Sequence, residues 1–108
     1  IWHNPRCSKS RAALALLEER CAPGSPRIVR YLEAPPSRAR LEEIIGLLGG
    51  DVRTLLREKD APEGLAEAAD PEILDALLAS PSLIERPVVV TARGACVARP
   101  PERLLDLL

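Results

Sequence analysis

The stretch Ile1-Trp2-His3-Asn4-Pro5-Arg6-Cys7-Ser8-Lys9-Ser10-Arg11 decides how this chain is read. A short apolar start passes through Asn-Pro and runs directly into Ala12 to Leu17, which carries apolar residues at helical spacing. The spacing predicts a strand ending at His3 and a helix over 8–20, with Cys7 at the junction. The first-turn N–H groups of a helix lack internal partners, and the helix dipole leaves partial positive charge there. Both favour a thiolate over a thiol and also bind oxyanions. First turns usually carry Asp or Glu, yet the first acid after Cys7 is Glu18, while Arg6, Lys9 and Arg11 crowd the start. A thiolate or a bound oxyanion completes such a site. Thiols in these settings fall from about 8.5 to roughly 3.5–7.5 in pKa. The competing reading, a buried structural cysteine, fits polar and basic neighbours poorly.

Outward from this junction, Pro23-Gly24 breaks the helix and 28–32 reads as a second strand, giving a βαβ unit with parallel strands. Pro35-Pro36-Ser37 signals a stop and an N-cap, and Leu41, Ile44, Ile45 and Leu48 recur at helical spacing before Gly49-Gly50. Asp51 is placed to cap a helix through Leu56, and 58–70 reads as loop with a helical turn. Asp70-Pro71-Glu72 predicts another helix with Asp70 as its cap, closed by Pro81. Val88-Val89-Val90 is a strand covered on both faces, Thr91 to Gly94 a hairpin connection, 95–98 the return strand, and Pro100-Pro101 the lead into a last short helix. The expectation is one α/β domain over 1–108: a four-stranded mixed sheet, βαβ then ββα, with a helical insertion at about 37–84. The chain begins at Ile1 rather than Met, so the first strand is expected to extend upstream.

Composition narrows the function. With 15 basic and 16 acidic residues the net charge is −1, and Trp2 and Tyr31 are the only aromatics, so neither a basic surface nor stacking platforms point to nucleic acid. Among the basic residues only Lys9 and Lys59 are lysines. A coding bias explains much of that arginine excess, but not where particular arginines fall. Three irregularly spaced cysteines make no disulfide framework, and no apolar run is long enough to span a membrane. A cytoplasmic location follows as the expectation. Cys21 lies roughly 20 Å from Cys7 at ~1.5 Å per helical residue, Cys96 sits among small apolar residues, and Ser10 occupies the second position of a Cys-x-x-Cys spacing. An internal dithiol cycle is not expected, so reducing power comes from outside.

Along its whole length the sequence resembles the glutaredoxin-linked arsenate reductases, a family with a thioredoxin-like fold. The segments that carry the likeness are His3-Asn4-Pro5-x-Cys7-x-x-Ser10-Arg11, Tyr31-Leu32-Glu33-x-Pro35-Pro36-Ser37, Val52-Arg53-x-Leu55-Leu56-Arg57, Arg86-Pro87-Val88-Val89-Val90-Thr91 and Arg99-Pro100. The resemblance implies that Cys7 attacks arsenate and that Arg57, Arg86 and Arg99 line the anion site, where guanidinium forks match oxygen pairs. For Arg57 a plain surface role is equally open, with Arg53 close enough to be confused with it. Pro87 corresponds to the fold's cis-proline facing the cysteine. His3 has two open readings: an imidazolium favouring the Cys7 thiolate, or a structural hydrogen bond. Ser10 either bonds to the Cys7 sulfur or is a simple helix-turn residue, and Arg11 either completes the anion site or faces solvent.

The resemblance also implies the cycle. Cys7 forms an adduct with As(V), glutathione as co-substrate reduces it to As(III) and leaves a mixed disulfide, and glutaredoxin clears the disulfide. No bound cofactor or metal is implied. The expected partners are arsenate, glutathione and glutaredoxin, with no nucleic acid, no membrane and a monomeric chain. Two alternatives are a Spx-like transcription regulator that binds RNA polymerase and a glutathione-dependent thiol reductase with another substrate.

Overall fold

The computed structural model describes residues 1–108 except Pro23 and Ser25. The predicted break at Pro23-Gly24 therefore lies partly outside the described residues.

Helix α1 spans Ser8–Arg20, with Cys7 as an extended N-cap (φ −93°, ψ 122°) and no acid in the first turn. Its buried face is Ser10, Ala13 and Leu17. The chain then returns alongside its own start. Trp2 bridges Val29 in parallel and Val88 antiparallel, with His3 N–H donating to the Val29 carbonyl and Trp2 N–H to the Val88 carbonyl, both at 2.8 Å. Strands β1 (Val88–Thr91) and β2 (Gly94–Val97) form the regular antiparallel ladder, with Val88 opposite Val97. Gly94 takes φ +142° at the hairpin, a value side chains resist.

The strand expected over 28–32 is not there as such. Pairing stops at Val29 because the Arg30 carbonyl accepts from the N–H groups of Glu33 (3.0 Å) and Ala34 (2.9 Å), which turns the chain. The turn directs Tyr31 into the core and leaves Leu32 exposed. The first expected strand is likewise reduced to bridges at Trp2, so the regular sheet has two strands rather than four.

Helix α2 (Arg38–Leu47) starts at Ser37, whose Oγ accepts from Arg40 N–H at 3.1 Å. Ser37→Ala is expected to lower stability by about 1 kcal/mol, the usual worth of an N-cap, in chemical denaturation without a change in m-value. Gly49 and Gly50, both with positive φ, end this segment. The helix expected from Asp51 is a 3-10 turn over Val52–Leu55, capped by Asp51 Oδ1 through Arg53 N–H at 3.0 Å. Helix α3 (Asp70–Ala79) begins one residue earlier than expected, with Ala69 as its cap. The Asp70 carboxylate is drawn away to Arg53 Nη1 at 2.9 Å. Arg53 also donates to the carbonyls of Ala66 and Ala68, both at 2.7 Å, so it clips the 61–70 loop to the preceding turn. The last helix is a 3-10 run over Pro101–Leu107.

The side chains of β1 alternate between two cores, which is why Val88 to Val90 is a continuous apolar run. Val88 joins the cluster of Trp2, Tyr31, Leu41, Ile44, Leu55, Ile73 and Leu77 beneath the helical segment. Val89 joins Ala13, Leu17, Ala98 and Leu104 beneath α1 and the C-terminal run. Among the described residues no helix is long and apolar enough to cross a membrane.

Candidate active site

Cys7 is held by its neighbours before any distant residue reaches it. Its N–H donates to the Asn4 carbonyl at 3.0 Å, and its own carbonyl accepts from Arg11 N–H at 3.0 Å, the first bond of α1. Asn4 Oδ1 accepts from Arg6 N–H at 3.0 Å, so the loop before Cys7 is braced from within. The sulfur, half-buried, then faces the open end of the helix. Burial alone pushes the thiol up. The N–H groups of Ser10 and Lys9 and the Arg86 guanidinium outweigh it and leave Cys7 below the ordinary thiol range.

Ser10 acts on the sulfur through its backbone rather than its hydroxyl. Its Oγ, fully buried, accepts from Asn4 N–H at 3.0 Å and lies 2.7 Å from His3 Nδ1. With the Asn4 bond accepted, the hydroxyl proton is best directed at Nδ1, which assigns the His3 proton to Nε2. His3 is itself buried. Desolvation, followed by the charges of Arg30, the N-terminus and Arg11, pushes it below the usual histidine range. Of the two readings open for His3, the geometry shows the structural hydrogen bond: its ring, with Ser10, buttresses the Asn4–Cys7 loop. Arg11 is exposed and donates Nη1 to the Pro5 carbonyl at 2.9 Å, which ties the loop before Cys7 to the first turn of α1.

Three arginines converge from distant segments. Arg99 Nη1 lies 3.8 Å from Cys7 Sγ and 3.1 Å from the Arg86 carbonyl. Arg86 stands beside the sulfur, with Nη1 on the Ser82 carbonyl at 3.2 Å and Nε buried without a partner. The peptide bonds Arg86–Pro87 and Arg99–Pro100 are both cis. Arg57 reaches the same region but is occupied: Nε donates to Asp60 Oδ2 at 2.7 Å and Nη1 to Glu85 Oε1 at 3.0 Å. Arg57 is therefore neither a free surface side chain nor a free anion arm.

Two further residues complete the site. Glu85 Oε1 also lies 3.9 Å from Arg99 Nη1 and accepts from the backbone N–H of Arg86 at 3.3 Å, so one carboxylate faces the guanidinium groups of both Arg57 and Arg99. Tyr31 is fully buried, its hydroxyl close to the Asn4 side chain yet without a well-formed partner. Burial pushes this phenol up, and Arg86 partly offsets the effect. Glu85 was findable as the residue next to Arg86-Pro87. The role of Tyr31 had no local signal. Cys96 is also half-buried and pushed up by desolvation, and Cys21 caps the far end of α1. Beside Glu85 and Arg99 opens a cleft of about 540 Å³ that includes Lys59, Cys96 and Arg103 in its walls.

Replacing Arg86 by Gln tests the electrostatics of the thiol. Alkylation follows the thiolate fraction, so the wild-type rate at Cys7 rises with pH and levels off below the range of an ordinary thiol. Removing the guanidinium withdraws support from the charged form alone, so the midpoint should move upward. Peptide-resolved alkylation from pH 4 to 10 measures it.

A single activated thiol at a helix N-terminus, faced by guanidinium groups from two other segments, defines an α/β domain built for covalent chemistry on an anion. The chain belongs to the ArsC family, which matches residues 2–107. It is 45% identical to an arsenate reductase of Rhizobium meliloti (strain 1021), over 100% of this chain and 79% of that one. It is 39% identical to the uncharacterised YfgD of Escherichia coli K12, over 100% and 94% respectively. The solved structure of an arsenate reductase from Vibrio cholerae superposes with a TM-score of 0.85 at 40% identity, covering 99% of this chain and 94% of that one.

Proposed function

We propose that this protein is an arsenate reductase that uses Cys7 as nucleophile and glutathione with glutaredoxin as electron donors. The observation that carries the proposal is the approach of Arg99 Nη1 to Cys7 Sγ at 3.8 Å, with Arg86 beside the same sulfur. A thiolate and an oxyanion are both negative. Guanidinium groups that touch the thiolate bring the anion to it and stabilise the charge on the adduct. Relatives named arsenate reductases at 40–45% identity support the same reading.

In the first step the Cys7 thiolate displaces one oxygen of arsenate as water, forming an S–As(V) bond. A glutathione thiolate then attacks the Cys7 sulfur. An S–S bond forms, the S–As electron pair stays on arsenic, and As(V) becomes As(III), released as arsenite. Glutaredoxin takes the glutathionyl group by thiol–disulfide exchange and restores Cys7. The described residues favour this external route, because Ser10 fills the Cys-x-x-Cys position with its hydroxyl committed to His3. The cleft beside Glu85 and Arg99 offers space for the thiol donor next to the adduct. The lateral order Val29, Trp2, Val88, Val97 supports reading the sheet as a four-stranded, thioredoxin-like one with two strands worn down to bridges.

The test is arsenate-dependent oxidation of NADPH in the presence of glutathione, glutaredoxin and glutathione reductase. Turnover with a glutathione adduct on Cys7 is expected. No arsenate-dependent turnover, or an adduct confined to Cys21 or Cys96, refutes the proposal.

A further inference from the structure

We propose that Glu85 is the selectivity residue of the oxyanion site, admitting anions that carry a proton and rejecting those that do not; this rests on reading the site as an oxyanion site. Three guanidinium groups on their own would take any small oxyanion. This site is not built that way, because a carboxylate stands against two of them, Arg57 and Arg99. Glu85 Oε1 is 3.0 Å from Arg57 Nη1, 3.9 Å from Arg99 Nη1 and 3.3 Å from Arg86 N–H. Arg99 Nη1 is the same nitrogen that approaches Cys7 Sγ at 3.8 Å. An anion seated between the sulfur and Arg99 therefore has the Glu85 carboxylate beside it.

A carboxylate only accepts hydrogen bonds. Against a fully ionised oxygen it is a like charge with no compensating bond, whereas against an As–OH or P–OH group it accepts a hydrogen bond. At neutral pH arsenate and phosphate both retain at least one proton, and sulfate retains none. The arrangement accordingly separates arsenate from sulfate while leaving phosphate as a competitor. Glu85 is also only partly exposed, with a side-chain accessibility of 22%, so water screens the contact incompletely. A carboxylate serving only to hold the arginines in place would weaken or strengthen every anion alike.

The experiment reads protection of Cys7 against iodoacetamide, resolved by peptide mass spectrometry, with arsenate, phosphate and sulfate as the probes on the full chain. In the wild type, arsenate and phosphate should protect at concentrations at least ~tenfold below sulfate. Glu85→Gln supplies an amide that donates as well as accepts, so sulfate protection should improve and the ratio should collapse towards one. Glu85→Asp keeps the acceptor and should retain the preference, which guards against misfolding of the Gln variant. Equal protection by sulfate and phosphate in the wild type, an unchanged ratio in Glu85→Gln, or no protection by any of the three overturns the inference. A wild type that shows the preference but does not turn over arsenate leaves this inference standing and removes the proposed reaction instead.

Discussion

Cys7→Ser is expected to lower arsenate-dependent turnover by at least ~10³-fold, to the background of the coupled assay. Two separate losses lead there. The hydroxyl is not ionised at neutral pH, so the Lys9 and Ser10 N–H groups and the Arg86 guanidinium that favour the Cys7 thiolate have no anion to stabilise. The second loss is the electron count. Reduction of As(V) requires the attacked atom to end in a disulfide, and an oxygen in that position cannot do so. An ester of serine and arsenate would only exchange with water. The fold should be retained, because the Cys7 backbone bonds to Asn4 and Arg11 do not involve the sulfur and the side chain is only half-buried. Circular dichroism and thermal unfolding check that point. Turnover above a tenth of wild type in a folded Cys7→Ser protein would place the nucleophile elsewhere, with Cys96 in the adjoining cleft as the residue to examine.

The parts of this molecule that were readable from sequence are those governed by neighbours in the chain. Helix α1 has the bounds that its apolar spacing gives, 8 to 20, with the extended Cys7 and Cys21 at its two ends. Cys7 lies at the junction for the same local reason. Local rules failed where a distant group offered a better bond. Asp70 has the residue type and position of a helix cap, yet its carboxylate pairs with Arg53, seventeen residues away, and Ala69 caps instead. The 28–32 segment has strand composition, but Arg30 accepts a turn and Tyr31 fills the core. His3 was open in the sequence between a charge effect on the sulfur and a structural hydrogen bond, and its 2.7 Å contact with the Ser10 hydroxyl depends on a loop closure that spacing does not give. Arg86 and Arg99 were legible as arginines next to prolines. The pairings of the Glu85 carboxylate with Arg57 and Arg99 are long-range and no spacing encodes them, whereas the Asp60 partner of Arg57 sits at i+3 and was locally available.

Arg99→Ala is expected to reduce kcat/KM for arsenate by ~10²-fold, and Arg99→Lys by less. Arg99 Nη1 lies 3.8 Å from the sulfur, and the same nitrogen braces the Arg86 carbonyl and faces Glu85. Negative charge spreads onto the arsenic oxygens as the S–As bond forms, so a donor in this place contributes more to the transition state than to initial binding. The loss should consequently fall mainly on kcat, with a smaller rise in KM. Lysine restores a positive charge but not the planar fork, and it cannot serve the sulfur, the carbonyl and the anion together. Arg57 does not offer a substitute, because Asp60 and Glu85 already hold it. That gives a second readout: combining Arg99→Ala with Glu85→Gln releases one of those holds and should recover part of the lost rate. Two independent sites would give additive losses, whereas a shared carboxylate predicts a measurable coupling energy in the double-mutant cycle. A loss confined to KM, or strict additivity with Glu85→Gln, would mean that Arg99 only gathers the anion and that the Glu85 link is without consequence for the reaction.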